Sequence, residues 1–332
     1  MTEPVNPVRK GRLDGRCRVA YRQKGLANGA KFLDIATNRD QAWAVGERVD
    51  IDYHDAVLVH WDGRRWRRLV RELPERSRSL TLTKVSASTP ANVWINAEDY
   101  EGSDSGLLRF DGRRWSFLPI ETDETDPYQE VLALGDEEAW AFGERWAQHF
   151  DGRTWGRYET PITTLAATAL SPRDIWAVGT VADGWSSEPA AAHYDGRGWQ
   201  RTPLPAVTQA GMFDVQLTSV LAVAPDDVWA AGGYHTPDGQ FGPLLFRWNG
   251  TAWRALAVGE GALTGLSHHG GTVWVAGDEM TSYPPYDSFY LLTQERGRWS
   301  RFGTKLPLTV LAHASSTGRL WGLAGNKVIE CL

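Results

Sequence analysis

The sequence predicts an all-β protein, a seven-bladed β-propeller with four antiparallel strands in each blade. One tryptophan motif recurs seven times, at a mean interval of about 46 residues, which is within the range for propeller blades. A second tryptophan motif follows each of the first six copies, and five of these contain the Asp-Gly or Asn-Gly pair typical of tight hairpin turns. The segments beside those turns alternate between apolar and polar residues, as paired strands do. The first motif is AWAVG at Trp43, VWINA at Trp94, AWAFG at Trp140, IWAVG at Trp176, VWAAG at Trp229, VWVAG at Trp274 and LWGLA at Trp321, and the second motif ends at Trp66, Trp115, Trp155, Trp199, Trp253 and Trp299.

Each copy of the repeat is interpreted as four strands, numbered from the innermost outwards. The first strand is a run of small residues, such as LTSVLAVA ending at Ala224. The second carries the first tryptophan motif, the third ends at the tight turn, and the fourth carries the second tryptophan. We expect the tryptophans to fill the wedge between neighbouring sheets, and the innermost strands to need small residues because they converge. Seven residues before each second-strand tryptophan stand Ala36, Ala87, Ala133, Ala169, Ala222, Ser267 and Ala314.

The seventh repeat is incomplete, because only one more strand fits after Trp321. Residues 14–24 contain Asp14-Gly15 followed by CRVAYRQ, and we predict that they supply the fourth strand of the last blade. Residues 1–13 are then a candidate flexible arm, and residues 1–332 form one propeller domain. This closure would put Cys17 and Cys331 on neighbouring strands. They are either close to each other or two unrelated free thiols.

The composition narrows the class of protein. Hydrophobic residues make up 42% and charged residues 23%, as in ordinary globular proteins, and the formal charge is -6. The acidic balance argues against nucleic acid as a partner. There is no run of about 18 apolar residues to span a membrane and no apolar leader at the N-terminus. Two cysteines provide neither a disulfide framework nor zinc-ligand spacing. We expect a cytoplasmic monomer with free thiols and with no metal or other cofactor.

The repeat pattern resembles kelch-type and galactose-oxidase-like β-propellers, and also the DVWAVG-type repeat proteins of actinobacteria. The pattern is a second strand ending in glycine, an aromatic-Asp turn, and a tryptophan four residues after the Asp. Blade five has the kelch-like double glycine, Gly232-Gly233, whereas other blades have single glycines such as Gly46 and Gly179. The resemblance implies the architecture and no particular activity. It does not imply the copper of galactose oxidase, because neither Cys17 nor Cys331 lies in a motif for a Tyr-Cys cross-link.

The connections between second and third strands vary in length and carry inserts, except in blade three. Variable inserts on a rigid scaffold are common places for binding, and they share one face with the connections between blades. The inserts are rich in carboxylates and aromatic rings, which attract and hold cations, although loops are also polar simply because they are solvated. Trp185 is the strongest candidate because it lies outside the repeat pattern. The candidate binding residues are Asp52, Tyr53, His54, Asp55, Tyr100, Tyr128, Trp185, Tyr234, His235, Tyr283, Tyr286 and Asp287.

Charged residues on the innermost strands are candidates for catalysis. Asp34, Lys84 and Glu130 occupy positions that are uncharged in the other blades, and a charge there needs a partner. They form either a site in the central channel or a structural ion pair between neighbouring blades. His54, beside Asp52 and Asp55, is a further candidate, either as a base or as a metal ligand. In contrast, His60, His149 and His193 share one repeat position that Arg109 and Arg247 occupy elsewhere, so we interpret them as structural.

Two functions are compatible with the sequence. The first is a binding or scaffold propeller that holds a peptide, a protein segment or a cationic small molecule on the insert-bearing face. The alternative is a propeller enzyme, a lyase or a tailoring enzyme of small-molecule or peptide metabolism, with acid–base residues at the channel mouth. The sequence contains no nucleophile elbow, P-loop, dinucleotide fingerprint or HExxH motif.

Overall fold

A computed structural model describes most of the chain as β-strands. The described residues are 9–12, 17–23, 29–50, 53–99, 105–119, 128–183, 186–207, 212–258, 261–269, 271–278, 289–295, 298–304, 308, 310–314 and 318–331. They form two compact units, one made of Cys17–Tyr158 with Ala312–Leu332, the other of Met1–Arg16 with Glu159–Leu311. Within the described residues there are seven sheets, six of four strands and one of five, and each contains four antiparallel strands, so the predicted seven-bladed β-propeller is confirmed. The prediction of a single domain over residues 1–332 stays a prediction.

The first unit contains blades one to three and the last blade. Blade one contacts both the last blade and blade two, and blade two contacts blade three. Two 3-10 turns, Val70–Glu72 and Glu75–Ser77, lie between blades one and two. The strands of blade one are β3 (Ala30–Asn38), β4 (Gln41–Asp50), β5 (Tyr53–Trp61) and β6 (Trp66–Arg68); of blade two, β7 (Thr81–Thr89), β8 (Asn92–Glu98), β9 (Gly106–Phe110) and β10 (Trp115–Pro119); of blade three, β11 (Glu130–Leu134), β12 (Glu138–Phe142), β13 (Trp146–Phe150) and β14 (Trp155–Glu159); of the last blade, β27 (Leu311–Ala314), β28 (Arg319–Ala324), β29 (Lys327–Cys331) and β2 (Cys17–Arg22).

The second unit contains blades four to six, and blade five contacts both of the others. Blade six has a fifth strand at its outer edge, because β1 (Arg9–Arg12) pairs in parallel with β26 (Arg298–Thr304), from Arg9↔Ser300 to Arg12↔Gly303. The candidate flexible arm, residues 1–13, therefore includes a paired strand. The strands are β15 (Thr163–Ser171), β16 (Asp174–Asp183), β17 (Ser186–Tyr194) and β18 (Trp199–Thr202) in blade four; β19 (Phe213–Ala224), β20 (Asp227–His235), β21 (Phe241–Trp248) and β22 (Trp253–Ala255) in blade five; and β23 (Ala262–His269), β24 (Thr272–Asp278), β25 (Phe289–Glu295), β26 (Arg298–Thr304) and β1 (Arg9–Arg12) in blade six.

The two tryptophan motifs meet between neighbouring blades. Trp253 on the outer strand of blade five packs edge-on against Trp176 of blade four, with ring centroids 5.6 Å apart. Such edge-to-face pairs are the favoured geometry for aromatic rings, and each buries a large apolar surface. The predicted wedge between sheets is therefore present. The same contact joins Trp66 to Trp321, Trp155 to Trp94 and Trp299 to Trp229, and the second-strand tryptophans Trp43, Trp94, Trp140, Trp176, Trp229, Trp274 and Trp321 are at most 8% exposed.

The turns between third and fourth strands are closed by their first residue. In blade one, Asp62 accepts hydrogen bonds at Oδ1 from the backbone N–H groups of Arg64 and Arg65, both at 2.9 Å. Gly63 adopts a φ of +90°, which glycine reaches without strain. These backbone bonds stabilise the carboxylate and lower the pKa of Asp62. The same arrangement recurs at Asp111, Asp151, Asp195 and Asn249.

The N-terminal strand completes the last blade, as the sequence predicts. Strand β2 pairs antiparallel with β29, and Cys17 lies directly opposite Cys331. Their sulfur atoms form a disulfide bond. The expectation of free thiols is therefore wrong. The predicted closure places the two cysteines on neighbouring strands although they are 314 residues apart, but proximity alone does not show that they are oxidised.

Candidate functional site

The charges on the innermost strands of blades one to three lie together. Lys84 Nζ is 3.2 Å from Glu130 Oε2, which joins β7 to β11. Asp34 Oδ2 accepts a hydrogen bond from the backbone N–H of Val85 at 2.8 Å, which joins β3 to β7. The other oxygen of Glu130 accepts from the N–H of Val131. These contacts match the structural alternative, in which the charges tie neighbouring blades together.

The environment of these charges shifts their proton affinities. Burial raises the pKa of Glu130 to about 7, although the nearby Lys84 ammonium favours the charged carboxylate. Burial also raises the pKa of Asp34. The pKa of Lys84 is raised by the charge of Glu130, against the opposing effect of burial. Glu130 is only 8% exposed, which leaves little access for a substrate to its carboxylate, whereas the Lys84 side chain is 30% exposed.

A second group of polar side chains lies where the first strands of blades one and two begin and their second strands end. Glu47 binds Lys31 Nζ at 2.9 Å and accepts a hydrogen bond from Thr81 at 2.8 Å. In blade two, Glu98 accepts hydrogen bonds from Thr83 and Asn96. Asn96 was not predicted from the sequence. The sequence does contain a signal for Asn96, because this polar residue occupies the position of the second-strand motif where blade one has the apolar Val45.

The predicted site residues of blade one extend the pairing of β4 with β5. Asp55 forms an ion pair with Arg48 directly across the ladder, with Nη1 and Oδ2 3.1 Å apart. The backbones of Tyr53 and His54 pair with Asp50 and Val49. The insert is therefore a continuation of the hairpin. The predicted residues Asp52, Tyr100, Trp185, Tyr283, Tyr286 and Asp287, and the side chains of Tyr53 and His54, lie outside the described residues.

Tyr128 is not a rim residue, which corrects the sequence-based interpretation. It is 3% exposed and packs edge-on against Trp146 at 5.2 Å. Its hydroxyl donates a hydrogen bond to Gln148 Oε1 at 2.8 Å, and burial raises its pKa. The connection before β11 therefore uses this aromatic ring to fill the core of blade three.

The repeat-position histidines each stack on the tryptophan of their own blade. His60 lies over Trp43 with centroids 4.9 Å apart, and its Nε2 is 2.9 Å from Gln41 Oε1. Burial lowers the pKa of His60 to about 4, so it is neutral near pH 7. His149 and His193 stack in the same way on Trp140 and Trp176, in agreement with a structural role. In the described residues, no three His, Cys, Asp or Glu side chains are arranged to hold a metal ion.

A cleft of about 700 Å³ opens between blades four and five. It lies where β17 begins, β18 ends and β19 begins, which is the end of the blades that carries the inserts. Nine of the thirteen residues that form its wall are apolar, and the polar side chains are Ser187, Glu188, Arg201 and Thr202. Glu188 belongs to the carboxylates of the blade-four insert on the predicted binding face, whereas Ser187, Arg201 and Thr202 were not predicted, because they lie at ordinary strand ends. The full lining is Ser187, Glu188, Pro189, Ala190, Arg201, Thr202, Pro203, Leu204, Pro205, Ala206, Val207, Met212 and Val215.

The predicted residues Tyr234 and His235 lie at the same end of blade five. Tyr234 is partly buried, its ring covers Gly242 on the neighbouring strand, and burial raises its pKa. His235 contacts the rings of Phe213 and Phe241, with centroids 5.3 Å and 4.2 Å away. Phe213 was not predicted, and it is 50% exposed. This end of the blade thus presents an aromatic cluster to solvent.

Comparison with known proteins supports the fold. No protein-family model and no curated protein matches the chain. Among solved structures, the chain is similar to YCF48 bound to D1 peptide, with 16% identity, a TM-score of 0.62, and coverage of 95% of this chain and 94% of that one. It is similar to PorZ, a surface component of the type-IX secretion system of Porphyromonas gingivalis, with 13% identity, a TM-score of 0.65, and coverage of 95% and 48%. It is also similar to the extracellular domain of the putative one-component system BT4673 from B. thetaiotaomicron, with 12% identity, a TM-score of 0.61, and coverage of 95% and 39%.

These similarities are low in sequence and show the fold alone, the seven-bladed β-propeller. The chain spans less than half the length of the PorZ and BT4673 chains it matches. Within the described part of the chain, no helix is long and apolar enough to cross a membrane.

Proposed function

We propose that the protein is a binding propeller that holds a peptide or protein segment in the cleft between blades four and five. The cleft volume of about 700 Å³ carries this proposal. Ligand pockets of this size typically combine an apolar lining with a few polar groups that fix orientation. A short extended segment would place its apolar side chains against the apolar lining residues, and its backbone or charged groups next to the polar ones.

Part of the cleft lining is stiff, so the protein loses little conformational entropy when it binds a ligand there. Pro189, Pro203 and Pro205 have a fixed φ and no backbone N–H, so this part of the wall is stiff and apolar. A stiff site loses little conformational freedom when a ligand binds. Arg201 and Glu188 are half-exposed and 3.8 Å apart, so both retain capacity for hydrogen bonds to a peptide. The likeness to a propeller solved with a peptide supports this ligand class.

The enzyme alternative has weaker support. Its acid–base residues would be Asp34, Lys84 and Glu130, and the oxygens of Glu130 are occupied by Lys84 and by the N–H of Val131. A general base must reach the proton that it removes. Binding therefore explains more of the described residues than catalysis does. The cationic character of the ligand and the kelch-type or galactose-oxidase-like subtype remain proposals.

The cytoplasmic location and the monomeric state also stay predictions. Disulfides persist in oxidising compartments and are rare in the cytosol, so the Cys17–Cys331 bond argues against a cytoplasmic location.

Selection from a displayed library of random 12-residue peptides tests the proposal. The full chain is immobilised, enriched peptides are synthesised with a fluorescent label, and their affinity is measured by fluorescence anisotropy. Ala206→Trp fills the cleft and is expected to weaken binding at least about tenfold, equivalent to about 1.4 kcal/mol. Ala257→Trp is the matched control, because Ala257 is an exposed residue in the corresponding connection after blade five.

Enriched peptides that bind Ala257→Trp normally and Ala206→Trp poorly would support the cleft. The proposal fails if no peptide is enriched, or if both tryptophan variants bind as the unchanged protein does. Thermal unfolding of both variants verifies that each remains folded.

A further inference from the structure

The aromatic cluster at the tip of blade five borders the cleft. We define the aromatic tip as Phe213, Asp214, His235 and Phe241. Phe213 and Asp214 lie in the sequence between Met212 and Val215, which both line the cleft. Phe213 pairs with His235 across β19 and β20, and His235 pairs with Phe241 across β20 and β21. These three residues therefore form one row across three neighbouring strands, and the row begins at the edge of the cleft.

The backbone at this point is irregular. The pairing of β19 with β20 shifts between Phe213 and Gln216, so the strand contains a bulge. Asp214 within it has a φ of +53°, a conformation that non-glycine residues seldom adopt. Bulges redirect side chains and are common beside functional sites, and local strain of this kind is often retained for a role. Here the bulge brings the Asp214 carboxylate to 3.8 Å from His235 Nδ1, beside the exposed ring.

The exposure of the tip also needs an explanation. Phe213 and Val19 are the exposed large hydrophobic residues among those the structure describes. The side chain of Asp214 is 56% exposed, so its carboxylate meets solvent next to the half-exposed Phe213. A carboxylate beside an aromatic ring attracts a cation, because the ring face adds a cation–π contact to the ion pair.

We infer that the aromatic tip is the subsite for a lysine or arginine side chain of the peptide held in the cleft. This inference rests on the proposed function. A segment with apolar residues in the cleft and a basic residue at the end near Met212 would place its cation between Phe213 and Asp214. Glu188 on the cleft wall adds negative charge, whereas Arg201 is the basic residue of that wall. His235 positions the tip by contacting Phe213, Asp214 and Phe241.

Matched peptides and protein variants test the subsite. A peptide enriched by the full chain is made with its basic residue unchanged, replaced by the uncharged norleucine, and replaced by glutamate. Each is titrated by anisotropy into the unchanged protein, Phe213→Ala, Asp214→Asn and the control Asp226→Asn. Asparagine tolerates positive φ, so Asp214→Asn removes the charge and preserves the bulge. Asp226 is an exposed acidic residue at the opposite end of the same blade.

We expect norleucine to weaken binding to the unchanged protein and to Asp226→Asn about three- to tenfold, and less than about twofold to Phe213→Ala and Asp214→Asn. Glutamate should weaken binding further. The inference is overturned if enriched peptides lack basic residues, or if norleucine has the same effect on every variant. Loss of binding in Ala206→Trp with no effect at the tip would retain the proposed function and reject only this subsite. Failure to enrich any peptide rejects both.

Discussion

Cys17 on β2 and Cys331 on β29 face each other across an antiparallel pair and are joined by a disulfide bond. The bond links the fourth strand of the last blade to its third strand, which is the final strand of the chain. Arg18 adds an ion pair to Glu330 one residue along, with Nη2 and Oε2 2.8 Å apart. The pairing of β2 with β29, which completes the last blade, is therefore held by a covalent bond as well as by backbone hydrogen bonds.

Removal of this disulfide should lower stability. The bond closes a loop with a sequence separation of 314 residues, and the chain-entropy model assigns about 6 kcal/mol to a loop of that size, whereas removing a native disulfide typically costs about 2–5 kcal/mol. We expect Cys17→Ser/Cys331→Ser to unfold at a lower denaturant concentration than the unchanged protein. The measurement is urea unfolding with and without dithiothreitol. The double variant is its own control, because the reductant should change only the unchanged protein. Equal midpoints for all four samples would contradict a stabilising bond.

The pair between Lys84 and Glu130 should stabilise the contact between blades two and three. Lys84→Met leaves Glu130 and Asp34 without their cation, and we expect a loss of about 2 kcal/mol, below that of a fully buried pair because the Lys84 side chain is 30% exposed. Arg48→Met is the matched control, because Arg48 and Asp55 form a more exposed pair expected to contribute about 1 kcal/mol or less. Urea unfolding of both variants makes the comparison. A loss for Lys84→Met no larger than for the control would show that the pair is not coupled to folding.

The raised pKa of Glu130 predicts a specific dependence of stability on pH. Because the pKa rises from 4.5 when unfolded to about 7 when folded, the folded state holds the proton more tightly. The resulting contribution to the free energy of unfolding is fully present below pH 4.5 and is lost as pH rises through about 7. Each tenfold difference in proton affinity between the two states corresponds to about 1.4 kcal/mol. Glu130→Gln should remove this part of the pH dependence.

The comparison is the free energy of unfolding at pH 5 and pH 8. The exposed Glu137→Gln serves as the control. A pH profile of Glu130→Gln that parallels both the control and the unchanged protein would contradict the assignment.

The repeat made most of the fold predictable. Each blade uses the same tryptophan positions and the same turn, so the strand order follows from pattern and spacing alone. The contact between Lys84 and Glu130 was also foreseeable, since both charges fall at inner positions of adjacent blades. The disulfide was not, because the closing strand predicts proximity of Cys17 and Cys331 but not their oxidation.

The cleft was harder to predict than the fold. Pro203, Leu204 and Pro205 are ordinary connection residues, and only their position between two blades makes them a lining. Phe213 was missed for a related reason, because its exposure depends on a bulge that strand alternation does not reveal. Tyr128 shows the opposite error, since an aromatic residue in a polar connection turned inwards to fill the core.

The glycine that ends the second-strand motif explains one part of the repeat in physical terms. In blade four, Gly179 lies opposite a bulge in β15, and a Cβ there would stand 1.9 Å from the backbone oxygen of Thr163. Gly179→Ala should therefore destabilise the protein by about 1–3 kcal/mol, because the strand must move. Blade two has Ala97 at the same position, so some adjustment is possible and the chain should still fold.

Gly198→Ala provides a control in the same blade. Gly198 has no atom within 4 Å of the added Cβ, so the substitution should change the free energy of unfolding by less than about 0.5 kcal/mol. Urea unfolding of the two variants separates close backbone approach from the general effect of replacing a glycine. If Gly179→Ala and Gly198→Ala lowered the free energy of unfolding equally little, the close approach to β15 would not be the reason for glycine at this position of the motif. The packing explanation would then be wrong.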